Sequence, residues 1–261
     1  MSPISTAGAS QRDAGTDAVT AAQLADQVAF LADWLPPAPA RILDAGCGRG
    51  ALARALARAG YAVLGVDVDP LAVGAAATRG VAALVADLAG YRDEYLFDAV
   101  VCSLSLHHMR DLAAAVRRAR SLLRPGGILV VDEFAWERAD AGTAAWYHDT
   151  AALLAAAGRL GPEPDVTPVA TPHDHWMRRH RDEQRLHPGE TIVDEIGRHF
   201  EIRETVRVPY LHRYLGQGLG DDADGLATFT VLRQIEHLRV ADGSLTAVGL
   251  RLLAQARTGG N

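Results

Sequence analysis

Ile42-Leu43-Asp44-Ala45-Gly46-Cys47-Gly48-Arg49-Gly50 decides the fold. Residues 42–45 read as a buried strand. Three alternating glycines follow, then a helix carrying Leu52, Leu56 and Ala59 that Gly60 ends. Glycine takes positive φ without a Cβ penalty, so such a turn lets backbone N–H groups approach a ligand at a helix mouth. A dinucleotide-binding turn places its third glycine three residues after the second. Here Gly46, Gly48 and Gly50 are evenly spaced, and that fingerprint fails by one residue. Asp44 at the strand end sits badly for a pyrophosphate and well for a ligand ammonium group.

Outward from this turn, strands and helices alternate. Residues 61–66 read as a strand, and Asp69-Pro70 caps and starts a helix that Gly80 closes. Strands at 81–86 and 97–102 follow. Asp111 caps a helix bearing Leu112, Val116, Ala119, Leu122 and Leu123, and Pro125-Gly126-Gly127 turns into a fifth strand at 128–131. This rhythm predicts a doubly wound α/β sheet with helices on both faces. Upstream, residues 1–16 read as a tail. A helix from about Asp17 to Leu35 carries Leu24, Val28, Leu31 and Leu35 at helical spacing and stops at Pro36-Pro37. Downstream the reading is a helix at 141–157, a Pro/Gly-rich loop at 158–172, and a polar His- and Arg-rich segment at 171–187. A strand at 200–208, a helix at 221–240 and a strand at 247–256 complete the chain. The expected organisation is a tail (1–16), an N-terminal cap helix (17–40), a ligand-binding α/β core (41–134), a cap or substrate insertion (135–198), and two last strands with a helical insertion (199–261).

Two acidic residues extend the argument. Asp67 ends the second strand, about 20 residues past the turn, where a carboxylate accepts from a ribose diol. Asp87 ends the third strand and can accept from an exocyclic amine. A ligand with an ammonium, a ribose and an adenine, and no required phosphate, fits S-adenosylmethionine better than NAD.

With these pieces in order the sequence resembles the class I S-adenosylmethionine-dependent methyltransferases, in particular their small-molecule branch. The resemblance runs over 41–134, roughly a third of the chain. It rests on the turn at 43–50, Gly65-Val66-Asp67-Val68-Asp69-Pro70, Ala86-Asp87-Leu88, Phe97-Asp98-Ala99-Val100-Val101-Cys102, Ser103-Leu104-Ser105-Leu106-His107-His108, and Leu123-Arg124-Pro125-Gly126-Gly127. It implies a mostly parallel seven-stranded sheet of order 3-2-1-4-5-7-6 with strand 7 antiparallel and helical cap insertions. It also implies that Gly46 and Gly48, with Asp44 and Cys47 beside them, contact the methionine moiety, and Asp67 the ribose. Asp87 and Leu88 would contact the adenine with Val68 on its face, and Ser103 and Leu104 would lie on the sulfonium side. The product would be S-adenosylhomocysteine.

Composition narrows the acceptor. The chain has 261 residues, 49% apolar and 22% charged, with 26 Lys+Arg against 32 Asp+Glu for a net charge of −6. That sign gives no electrostatic reason to track a phosphate backbone. Ser103-Leu104-Ser105-Leu106 also lacks the amide and aromatic of the Asn-Pro-Pro-Tyr-like motif found in methyltransferases of nucleobase amines. A small-molecule acceptor is therefore expected, with no nucleic acid and, lacking a long apolar run, no membrane. No secretory layout is visible, so the expected location is cytoplasmic. The two cysteines, Cys47 and Cys102, make neither a zinc site nor a disulfide framework. Nothing in the sequence fixes the oligomeric state.

His107 is the candidate catalytic base, with a structural cap on its loop as the alternative. No extra carboxylates cluster near it, so no metal is expected. The segment with His173, His175, Trp176, His180 and His187 admits three readings: a solvated helix, a substrate lid, or a metal site. Its spacing matches no zinc pattern, and Arg178, Arg179 and Arg181 oppose a cation. His108, Trp136, His175, Trp176 and Tyr210 are the candidate walls of an acceptor pocket; alternatively the aromatics fill the cap's own core. The function expected is methyl transfer to an O, N or C nucleophile. The alternatives are an S-adenosylmethionine-binding protein of non-methyl chemistry such as cyclisation, or an NAD(P) oxidoreductase, which the glycine spacing disfavours.

Overall fold

Ile42 and Leu43 are neighbours in sequence, are both wholly buried, and belong to different apolar clusters. Side chains alternate across a strand, so this pair shows a sheet covered on both faces. The computed structural model describes residues 18–161, 171–220 and 222–257. The expected tail and most of the 158–172 loop lie outside them.

In chain order the elements are α1 (Ala18–Trp34), β1 (Arg41–Ala45), α2 (Ala51–Arg58), β2 (Ala62–Asp67), α3 (Pro70–Thr78), β3 (Ala83–Val85) and β4 (Phe97–Ser103). Then come α4 (Leu112–Leu122), β5 (Leu123–Phe134), α5 (Ala141–Ala156), α6 (Pro172–Arg178), α7 (Gly189–His199), β6 (Phe200–Val208), α8 (Leu211–Gly216), α9 (Ala223–Ala241) and β7 (Gly249–Ala256). The seven strands form one sheet ordered β3-β2-β1-β4-β5-β7-β6. β1 to β5 pair in parallel, and β7 runs antiparallel to both β5 and β6. This is the order and the antiparallel strand that the resemblance implies.

One face buries Leu43, Val100, Leu129, Val131 and Leu252 under α4 and α7; the other buries Ile42, Ala99, Val101 and Val130 under α1 and α2. Helix starts follow the local chemistry. Asp69, Asp111, Asp140 and Asp222 each accept a backbone N–H of the first turn, and Pro70 opens α3. Such caps stabilise a helix by about 1 kcal/mol each.

Three expectations change. β3 is only three residues long, and its Leu84 and Val85 stand exposed at the sheet edge. β5 begins at Leu123, before the Pro-Gly-Gly turn, because Leu123 already pairs with Phe97 ahead of a register irregularity. The segment 189–198 does not cap the site: it is most of α7, whose Ile192 and Ile196 are wholly buried against the sheet. Ile192, Val193 and Ile196 at helical spacing are the sequence signal for this helix.

Candidate functional site

The parallel strands end along one edge, and period-two alternation decides which way each polar side chain there points. Asp44, Ser103 and Asp132 fall on the face covered by α1, the face of Ile42, Val101 and Val130. Glu133 falls on the opposite face.

At the end of β1 the chain turns through Gly46 (φ +81°) and Gly48 (φ +50°). Gly46 and Cys47 both donate their N–H to the Val66 carbonyl, at 2.8 and 3.0 Å. A Cβ at Gly46 would lie 2.3 Å from the Ser105 Cβ, so no side chain fits. Around Gly48 nothing lies within 4 Å of such a Cβ, so a side chain there would meet open space. Cys47 is buried with its Sγ 2.7 Å from where a Cβ on Gly65 would be, so it fills the space that glycine leaves in β2. Burial, with the charges of Asp44 and Asp67, pushes its thiol up to about 12, which makes it an inert packing group.

Two adjoining cavities flank the turn. The larger, about 500 Å³, is lined by Asp67, Val68, Asp87, Leu88, Ser105 and His108 among others. The smaller, about 200 Å³, lies under α1 and is lined by Gln27, Asp44, Cys47, Arg49, Ser103 and others. Gly46 and Leu104 wall both. Leu104 holds φ +53°, a left-handed backbone that costs about 1–2 kcal/mol for a residue with a Cβ. Its N–H donates to the Asp132 carbonyl at 2.8 Å.

Asp44 is 2% exposed and its Oδ2 has no hydrogen-bond partner. Burial first, then the charge of Asp67, pushes its carboxyl up to about 7, against the lowering effect of the Ala53 backbone. An unpartnered buried carboxylate oxygen in a cavity is a place for a cationic group, so the residues present fit an amino-acid ammonium. Asp67 accepts the Gly48 N–H at Oδ2 (2.8 Å) and the Asp69 N–H at Oδ1 (2.9 Å). These bonds orient the carboxylate, and each oxygen keeps a lone pair for a hydroxyl. Asp87 is exposed and accepts the Ala89 N–H at 2.9 Å, which holds its turn. Val68 stands 66% exposed over the cavity, available to an aromatic ring.

The two histidines part company. His107 is buried and turned inward: its Nδ1 meets Glu133 Oε2. Glu133, wholly buried, also accepts the N–H groups of Ser105 (2.8 Å) and Leu106 (2.6 Å). His107 lines neither cavity, which corrects its expected catalytic role to one of holding the Ser105–His108 loop. His108 lines the larger cavity, and desolvation together with the His107 ring lowers its pKa.

The cap aromatics are a second correction. Trp136, Trp176 and Tyr210 are 2–4% exposed, and neither cavity is lined by them. Phe134 stacks on Tyr210 at 4.5 Å and meets Trp176 edge-on at 5.8 Å, so the cluster fills itself. His175 sits on the far side of Trp176, its ring 6.2 Å from that of His148. His180, in a π-helical turn at Arg179–Glu183, gives its Nδ1 to the Trp176 carbonyl (2.7 Å), and burial pushes it down to about 4. Among the described residues no group of three or more His, Cys, Asp or Glu is placed to hold a metal, and no helix is long and apolar enough to cross a membrane.

Sequence reading missed Gln27, whose Nε2 donates to Ser103 Oγ (2.9 Å) and Asp132 Oδ2 (3.2 Å). It also missed Arg213, which bonds Asp132 at 2.9 Å. A signal was present: Asp132-Glu133 interrupts an apolar strand, and two buried carboxylates each require a partner.

Comparison with known proteins agrees with this geometry. A family model described as a methyltransferase domain matches residues 17–158, more than half of the chain. A ubiquinone biosynthesis O-methyltransferase of Xanthomonas axonopodis pv. citri is 39% identical over 108 residues, which are 36% of this chain and 43% of that protein. The chain thus matches less than half the length of this curated relative. Among solved structures, the cyclase SpnF superposes with a TM-score of 0.56 at 23% identity, covering 91% of this chain and 83% of that one. Geranyl diphosphate C-methyltransferase of Streptomyces coelicolor A3(2) gives 0.55 at 15% identity, covering 89% and 79%. At these identities the structures share the fold.

Proposed function

Because the chain belongs to the methyltransferase-domain family, we propose that it moves the methyl group of S-adenosylmethionine to a nucleophilic O, N or C atom of a small molecule. The observation that carries this reading is the unpartnered Asp44 oxygen beside the glycine turn, a buried negative group waiting for a cation. In this assignment Asp44 and the Gly46–Gly48 backbone hold the amino-acid end in the smaller cavity, Asp67 accepts from the ribose hydroxyls, and Val68, Asp87 and Leu88 surround the adenine in the larger one. Ser103 and Leu104, between the two, face the sulfonium.

The sulfonium supplies an already activated methyl, so the protein's task is to align the acceptor and exclude water. His108, whose lowered pKa favours the neutral imidazole, faces the larger cavity and can take the proton an O or N acceptor releases. His107 and Glu133 position that loop. The net charge of −6 and the Ser103–Leu106 segment favour a small molecule over nucleic acid. Titration calorimetry with S-adenosylhomocysteine tests the reading: one molecule per chain is expected. Absence of binding, or binding unchanged in Asp67→Ala, rejects it. A panel of phenols, amines and acids with labelled S-adenosylmethionine then separates methyl transfer from other chemistry on the same cofactor.

A further inference from the structure

Beyond Gln27, on the side away from Asp44, lies a third cavity, of about 360 Å³. α1 roofs it, α9 and the Val208-Pro209 turn wall it, and Arg213 and Arg251 reach into it. Gln23 and Gln27 line both this cavity and the smaller one at Ser103, so the two adjoin.

At its floor two arginines converge on one aspartate. Arg213 Nη1 lies 2.9 Å from Asp132 Oδ2, and Arg251 Nε lies 3.4 Å from Asp132 Oδ1. Asp132, 3% exposed, is one carboxylate for two guanidinium groups that do not deprotonate. The remaining charges are committed or lie at the rim. Arg233 pairs with Asp26 at 2.5 Å, both over a third exposed, and Asp33 is exposed to solvent. Glu236, wholly buried, accepts the N–H groups of Tyr210, Leu211 and His212 and the Nδ1 of His212. His237 Nδ1 bonds the Arg233 carbonyl. At the cavity floor two guanidinium groups share one carboxylate, while Asp26 and Asp33 line the rim. Arg213 is also 8% exposed with its Nε–H unpartnered, a buried charged donor without an acceptor. Arg251 lies over the Phe30 ring, 4.2 Å from its centroid, which fixes the plane of its fork.

We propose that this cavity receives a carboxylate of the methyl acceptor, bound by Arg213 and Arg251, with the rest of the acceptor passing Gln27 toward Ser103. This rests on the methyl-transfer reading and names its substrate class: small carboxylic acids. A guanidinium fork matches a carboxylate in two-point geometry, and the rim carboxylates Asp26 and Asp33 oppose a phosphate dianion more than a monoanion. The aromatic cap is not needed as a pocket wall, since the open space lies here.

The test titrates benzoate, benzamide and inorganic phosphate into the protein, free and loaded with S-adenosylhomocysteine, following the arginine Nε–H signals by NMR. Benzoate should bind saturably, shift the signals of the buried Arg213 and the half-buried Arg251, and bind at least tenfold tighter than benzamide or phosphate. Arg251→Gln should weaken benzoate at least tenfold, with Arg251→Lys recovering part of the loss. Affinity for S-adenosylhomocysteine should stay within twofold in both variants, which also shows that they fold. Equal binding of benzoate and benzamide, tighter binding of phosphate, or indifference to Arg251→Gln overturns the proposal. Benzoate binding as expected in a protein that ignores S-adenosylhomocysteine overturns the acceptor assignment and the methyl-transfer reading together. Failure of benzoate alone leaves that reading standing.

Discussion

The ends of β1 and β5 lie two strands apart on one sheet edge and carry three buried carboxylates, yet they treat them oppositely. Glu133 is saturated: three backbone N–H groups, of Ser105, Leu106 and Phe134, and the His107 ring take its oxygens, and the aromatic cluster around Phe134 closes behind it. Asp44 keeps a bare oxygen, in a turn where one glycine has no room for a side chain and another has open space. Asp132, partnered but outnumbered by arginines, stands between them. Burial alone therefore does not mark a functional carboxylate. Burial with an oxygen that no donor reaches, beside a cavity, makes a carboxylate a candidate.

The largest test falls on the closed side. Trp176→Ala should lower stability by about 3–5 kcal/mol, seen as a drop in Tm, because an indole packed on Phe134 and Tyr147 leaves a cavity. In protein that remains folded, affinity for S-adenosylhomocysteine should hold within about threefold, under roughly 0.7 kcal/mol. A loss of affinity with no loss of stability would erase the contrast. Next, Glu133→Gln should cost about 1.5–3 kcal/mol in denaturant unfolding, since the amide keeps one acceptor and loses the charge-assisted bond to His107.

On the open side the effects move from stability to binding. Asp67→Ala should weaken S-adenosylhomocysteine by roughly tenfold to a hundredfold in calorimetry, as ribose hydroxyls and the Gly48 N–H lose a charged acceptor. The pH dependence sharpens the comparison most. Asp44 has its carboxyl pushed from 3.8 up to about 7 in the folded chain. Its stabilising contribution is complete below the lower value and is lost as pH rises through the upper one. Asp44→Asn should flatten stability across that window and leave the variant the more stable of the two at pH 8. A bound ammonium favours the ionised carboxylate, so affinity should rise with pH up to about 7, by at most about tenfold per unit, and Asp44→Asn should abolish the slope. A slope that survives the substitution places the ammonium elsewhere.

The sheet was legible because its signals are local. Apolar alternation, the Asp69-Pro70 and Asp111 starts, and the glycine turn each lie within a few residues, and order and antiparallel strand followed from the family resemblance. The side chains proposed for the cofactor could be named for the same reason: each closes a strand already placed. The acceptor side was not. His107 and His108 are adjacent in one short helical turn, and only the position of Glu133, on another strand, turns one inward. Whether Trp176 or Tyr210 lines a pocket or fills a core depends on neighbours from the end of β5 and from two insertions. Gln27, Ser103, Asp132 and Arg213 meet at one point from four distant stretches, and no spacing connects them.

The Cys47 sulfur resting in the space that Gly65 leaves open has a consequence for how this chain can change over generations. The two positions are not free to drift separately. Alanine at 65 would put a methyl 2.7 Å from that sulfur and push the ligand turn off β2, while a smaller residue at 47 would leave a gap that nothing else fills. A chain carrying Gly65→Ala with Cys47→Gly should bind its ligand better than one carrying Gly65→Ala alone. Neutral paths through this corner of the protein therefore pass through the pair, and a single substitution there is a temporary state awaiting its complement.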